Sequence, residues 1–248
     1  MRFRRALKRR WSRQLLETLG IRLKVSARGT AWPGHLGDMR TAWPARGLVV
    51  CNHISWLDIY VINALTPAAF VAKDDVQHWP LIGWLCAHTE TIFLARGSRA
   101  AAQRTREAIL EHLDDVHVAV FPEGTTTGGD RVLPFHAALF QSAIDAGVPV
   151  LPLALRYADA NGNSSRAPAY DGDITMWQCL RTIAQSGGLK ADLRVLEAID
   201  SAALNRRDLS RHCQESIAWH LGQRSFSFRG DPAAEADIAD AEVQAATR

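Results

Sequence analysis

The sequence predicts an α/β layer fold with a mainly parallel central sheet flanked by helices and led by an amphipathic N-terminal helix. Three observations predict it. From Leu23 onward, short apolar β-prone runs alternate with longer helical patterns, which is how strands joined by crossover helices read. Two of those runs, 48–51 and 118–121, are apolar throughout and stop abruptly at polar loops, as strands buried on both faces do. The first segment instead carries an apolar residue at every fourth position among basic ones. With 248 residues and 47% hydrophobic content, the chain can bury a substantial core as one large domain or two small ones.

Taken in order, Phe3, Leu7, Trp11, Leu15 and Leu19 form one slowly rotating helical stripe, surrounded by Arg4, Arg5, Lys8, Arg9 and Arg13. Residues 1–25 hold nine Lys or Arg against Glu17 alone, a local net of +8. The chain total of +3 therefore leaves −5 for the rest. Such a helix suits an anionic membrane surface, where each cation contributes roughly 1 kcal/mol. A helix packed on the domain with a solvated basic face is the plainer reading. A nucleic-acid arm is weaker, since phosphate binding does not need the aromatic stripe.

Strands are expected at 22–27, 47–51, 69–72, 90–94, 116–121, 149–156 and 192–198, and helices at 56–65, 98–113, 137–146, 175–186 and 208–221. The stretch 157–172 has turn chemistry and no hydrophobic period, so it reads as a surface excursion. The apolar segment 79–86 is too short to span a bilayer and reads as core or as an acyl-chain tunnel wall. Asp231, Glu235, Asp237, Asp240 and Glu242 face only Arg248 in the last eighteen residues, so an acidic, disordered tail is expected over 229–248. The main domain is expected over 26–228. Cys51, Cys86, Cys179 and Cys213 are too scattered for a metal or redox pair, which fits a reducing compartment. No run approaches a spanning helix or a secretory leader.

The chemistry gathers where the two buried strands end. After Cys51 come Asn52-His53-Ile54-Ser55-Trp56-Leu57-Asp58. His53 can take a proton near neutral pH, and Asp58 can bond the ring's other nitrogen. In a chain with nine histidines such a pair alone is a weak signal. After Phe121 come Pro122-Glu123-Gly124-Thr125-Thr126-Thr127-Gly128-Gly129. In a parallel sheet both loops leave the same edge, the usual ligand edge of open α/β sheets, so His53 and Glu123 should share a pocket.

These stretches resemble the glycerolipid acyltransferase family typified by 1-acylglycerol-3-phosphate acyltransferases. Asn52, His53 and Asp58 match its first motif, and Ile92 to Arg96 its second. Phe121 to Thr125 match the third, Phe-Pro-Glu-Gly-Thr, residue for residue, and Val148 to Pro152 the fourth. The four blocks lie in order over residues 48–157. The resemblance implies a glycerol-3-phosphate acyltransferase-like fold and acyl transfer from acyl-CoA or acyl carrier protein to the free hydroxyl of a lysolipid. It also implies His53 as general base with Asp58 orienting it, and no metal or organic cofactor. Substrate contacts are expected from Asn52, Arg96, Glu123, Gly124, Thr125 and Thr126, at the cytoplasmic face of the inner membrane. The absence of a Gly-x-Ser-x-Gly elbow disfavours a covalent serine route.

Two departures matter. Relatives acting on lysophosphatidic acid commonly have Arg where this chain has Thr126, so a terminal phosphate loses a partner, with Arg96, Arg131 or Lys73 as candidate replacements. Relatives with Thr there include enzymes acting on lyso-ornithine lipid or on lysophospholipids with larger headgroups, so the alternative acceptor is lyso-ornithine lipid or another lipid without a phosphomonoester. Glu90 stands where relatives tend to have Gly. The alternatives from other classes are a thioester hydrolase using the same His and Asp on water, and a non-enzymatic peripheral membrane protein.

Overall fold

The computed structural model describes residues 2–27, 44–73, 90–94 and 99–223. Arg96, the segment 79–86 and the acidic tail lie outside the described residues.

Helix α1 (Arg2–Thr18) leads into strand β1 (Ile21–Ala27). Then come β2 (Leu48–Cys51), α2 (Asp58–Leu65), β3 (Ala68–Lys73) and β4 (Thr91–Leu94). Helix α3 (Arg99–Leu113), β5 (His117–Val120) and a 3₁₀ turn (Ala137–Phe140) running into α4 (Gln141–Ala146) follow. The chain continues through β6 (Val150–Ala158), α5 (Met176–Gln185), β7 (Leu189–Val195) and α6 (Arg206–Leu221). The seven strands form one sheet in the order β1-β7-β6-β2-β5-β3-β4. Every pairing is parallel except β6 with β7, so β1 and β7 run against the other five.

Strand β2 is buried at every position, so its side chains alternate into two cores. Val49 and Cys51 face α1, α2 and α5 with Leu16, Tyr60, Ile62, Cys179 and Ile183. Leu48 and Val50 face α3, α4 and α6 with Ile109, Ala143, Leu209 and Ile217. Each such side chain contributes roughly 1.5–3 kcal/mol by leaving water, and the apolar runs read in the sequence are the strands closed on both faces. Local chemistry sets the helix ends. Asn205 caps α6 by accepting from the Arg207 and Asp208 amides, and Thr175 with Gln178 forms a capping box at α5.

Three expectations change. Residues 1–25 cover α1 and most of β1. Trp11 packs edge-on against Tyr60, Leu16 is 1% exposed, and the expected boundary at 25 falls inside β1, which pairs along its length with β7. The apolar stripe divides: Leu15 and Leu19 pack against the core, while Phe3 and Leu7 remain 79% and 56% exposed. Strand β7 begins three residues before the expected 192, because Gly187 and Gly188, both with positive φ, turn the chain straight from α5 into it. The excursion after β6 is exposed at 160–164, Arg166 and Gly172 but not throughout. Pro168 and Ala169 are buried.

Glu90 adopts φ 57, the left-handed region that glycine enters without a Cβ penalty. Its carboxylate accepts from Lys8 Nζ at 3.0 Å, and the same ammonium donates to the Ala68 carbonyl at 2.9 Å. The departure at 90 thus ties α1 to the β3–β4 region. No helix among the described residues is long and apolar enough to cross a membrane.

Candidate active site

The site forms where β2 and its neighbour β5 end on the same sheet edge. After Cys51 the backbone leaves the sheet, and the Asn52 side chain continues the ladder in its place. Its Nδ2 donates to the Leu155 carbonyl and its Oδ1 accepts from the Leu155 amide, both at 2.9 Å. This amide pairing resembles one more strand rung, and it fixes the point from which the His53 loop departs.

Asp58 opens α2, where the helix dipole favours an anion. Its carboxylate is fully buried and turns back onto its own loop. Oδ2 accepts from the Ile54 amide at 2.7 Å, the Ser55 amide at 2.9 Å and His53 Nδ1 at 2.8 Å. Oδ1 accepts from the Tyr157 hydroxyl at 2.8 Å. Two backbone donors on Oδ2 make that oxygen an acceptor, so Nδ1 of His53 is the nitrogen that donates to it, and in the neutral imidazole the lone pair then lies on Nε2. The imidazole lies flat on Phe121, with ring centroids 3.9 Å apart and 10° between planes, and its side chain is 20% exposed.

The second loop holds the histidine's backbone. Glu123 Oε1 accepts from the His53 amide at 2.7 Å, and Oε2 from the Leu133 amide at 2.8 Å. The Thr127 amide donates to the His53 carbonyl at 2.9 Å. Burial pushes the Glu123 carboxyl up to about 8, with the two amide donors opposing and Asp58 adding to the rise. Gly124 sits at φ 72, so the turn it makes costs no side-chain strain, and its amide donates to the Phe121 carbonyl.

The excursion supplies a third wall. The Tyr170 amide donates to the Ile54 carbonyl at 2.9 Å, and the Thr126 hydroxyl donates to the Tyr170 carbonyl. Arg166 lies against Gly128 so closely that a Cβ there would come within 2.3–2.5 Å of its guanidinium.

The structure thus joins His53, Asp58, Asn52, Glu123, Gly124, Thr125 and Thr126 around one sheet edge. Several of them differ from the contacts expected of them. Asn52, Glu123, the Gly124 amide and the Thr126 hydroxyl are turned inward to hold the loops rather than outward to a ligand. Thr125 is half-buried and has no hydrogen-bond partner among the described residues. Tyr157 was missed in the sequence. The available signal was a phenol among the otherwise apolar buried positions of β6, since a buried Tyr hydroxyl needs a partner. Burial and Asp58 hold that hydroxyl well above the usual phenol range, so it stays protonated and remains a donor. Among the described residues, no cluster of His, Cys, Asp and Glu is arranged to hold a metal ion.

A family model described as Acyltransferase matches residues 39–156, which include both loops. A 1-acyl-sn-glycerol-3-phosphate acyltransferase of Neisseria meningitidis serogroup B is 37% identical over 83% of this chain and 76% of the relative. The chain belongs to the acyltransferase family. This acyltransferase is also 33% identical to a lyso-ornithine lipid O-acyltransferase of Pseudomonas aeruginosa, over 86% of the chain and 78% of the relative. Its fold matches the crystal structure of the 1-acyl-sn-glycerophosphate acyltransferase PlsC from Thermotoga maritima. The TM-score is 0.60 at 21% identity, covering 88% of this acyltransferase and 78% of PlsC.

Proposed function

We propose that this acyltransferase moves a fatty acyl group from the thioester of acyl-CoA or acyl carrier protein to the free hydroxyl of a lysolipid, with His53 Nε2 as general base. The observation that carries the reading is the Nδ1–H of His53 aimed at a carboxylate already bound by two amides, which leaves Nε2 as the basic nitrogen. Nε2 takes the acceptor's proton as its oxygen attacks the thioester carbonyl. The tetrahedral adduct then collapses, the C–S bond breaks, and the imidazolium returns the proton to the departing thiolate. Asp58 stabilises the imidazolium while it exists. The Gly124 amide is taken by the Phe121 carbonyl and the Thr127 amide by the His53 carbonyl, and the Thr125 amide between them is the donor we assign to the carbonyl oxygen as it gains charge. No metal or organic cofactor has a step in this scheme. The relatives' acceptors, 1-acyl-sn-glycerol-3-phosphate and lyso-ornithine lipid, are the two candidates for this chain. Phe3 and Leu7, exposed among arginines, favour a peripheral seat on an anionic membrane, at the cytoplasmic face where thioester donors are made.

The test is thiol release from labelled acyl-CoA with and without lysolipid. Release should require the acceptor, and His53→Ala should lower it by roughly 10²–10⁴-fold with an unchanged melting curve. Release that ignores the acceptor would identify a thioester hydrolase instead, and a fully active His53→Ala protein would remove the imidazole from the mechanism.

A further inference from the structure

The loop after Phe121 carries Thr126, whose hydroxyl is engaged with Tyr170, yet a guanidinium reaches the same loop from elsewhere in the chain. Arg166 comes from the segment stitched to the Ile54 carbonyl and the Thr126 hydroxyl, and it rests on the bare backbone of Gly128. Any side chain at 128 would displace it. The neighbouring Thr127 amide is bonded to the His53 carbonyl, which sets this cation one residue from the loop's grip on the base.

The charge around it is balanced. Arg166 Nη2 donates to Asp171 at 2.8 Å, and Nη1 lies 3.7 Å from Asp130. Asp130 in turn lies 4.0 Å from Arg131. Two arginines against two aspartates sum to zero. Arg166 and Asp130 are 62% and 57% exposed, so both signs face the solvent beside the site. A phosphomonoester carrying nearly two negative charges would meet carboxylates on both sides of the guanidinium, and repulsion would offset much of the attraction. A headgroup with one anionic group and one ammonium meets a partner for each.

Resting on the transfer chemistry above, we propose that Arg166, seated on Gly128 between Asp130 and Asp171, reads the acceptor headgroup and selects a zwitterion over a bare phosphomonoester. Arg166 takes the carboxylate or phosphodiester, and Asp130 takes the ammonium. An amino-acid headgroup and a phosphoethanolamine share this chemistry.

The experiment measures kcat and KM on the full chain with one acyl-CoA and three acceptors of matched acyl chain: lyso-ornithine lipid, lysophosphatidylethanolamine and lysophosphatidic acid. The wild type should favour one or both zwitterions, and the comparison of those two arms tells the amino-acid headgroup from the phosphodiester. Arg166→Ala and Gly128→Ala should each raise KM for the favoured zwitterion about tenfold more than for lysophosphatidic acid. Arg166→Lys, which keeps the charge but not the fork, should fall between. Should Gly128→Ala fail to fold, the two Arg166 variants still decide. Preference of the wild type for lysophosphatidic acid, or equal KM changes across all three acceptors, overturns the headgroup assignment. Acceptor-dependent thiol release in those same assays would leave the transfer reading standing.

Discussion

The lone pair on His53 Nε2 depends on residues other than the histidine. Asp58 Oδ2 is saturated by two amides and the ring, and Tyr157 completes Oδ1. Removing the phenol oxygen leaves a buried carboxylate oxygen without its donor, at a cost of roughly 1–3 kcal/mol. Tyr157→Phe should therefore lower the melting temperature. If Tyr157 positions the base through Asp58, it should also lower kcat while leaving KM for the acceptor unchanged. A purely structural tyrosine would destabilise the protein without that split. Asn52 is a second positioning residue, because its amide replaces backbone where β2 leaves the sheet.

At the scale of elements, the two strand-tip loops are held together by one buried carboxylate. In the unfolded chain Glu123 titrates near its ordinary value of 4.5, whereas in the folded protein burial raises it to about 8. Between those limits the folded protein holds a proton that the unfolded chain releases. The stabilising contribution is therefore complete below about 4.5 and is lost as the pH rises through 8. Melting temperatures recorded from pH 5 to 8.5 should decline, and Glu123→Ala, less stable overall, should show a flatter profile. These loops were readable in advance because the strands feeding them are apolar for four consecutive residues and then turn polar at once. The partners of Tyr157 and Arg166 were not readable, because they reach Asp58 and Gly128 from 99 and 38 positions away, Tyr157 through the pairing of β6 beside β2 and Arg166 through the excursion after β6. The reversed direction of β1 and β7 was equally hidden, since side-chain alternation reads the same in either direction.

For the whole molecule, α1 has two duties divided along its length. Its second half closes the core with Trp11 and Leu16, and its first half leaves Phe3 and Leu7 exposed. Phe3→Glu with Leu7→Glu should weaken sedimentation with phosphatidylglycerol vesicles while transfer to a detergent-dispersed acceptor persists. Raised salt should weaken the wild type's binding to the same vesicles. Deleting α1 would be a different experiment, since it strips Leu16 from the core and Trp11 from its contact with Tyr60. His53 is confined in another way. The imidazole is gripped through its amide, its carbonyl and Nδ1, and one of its faces is covered by Phe121. If His53 is the base proposed above, an imidazole held in this way restricts the directions from which an alcohol can arrive. Handedness at the acceptor carbon would then be selected by trajectory, so that a mirror-image lipid could dock in the cleft and still present its hydroxyl to the wrong side.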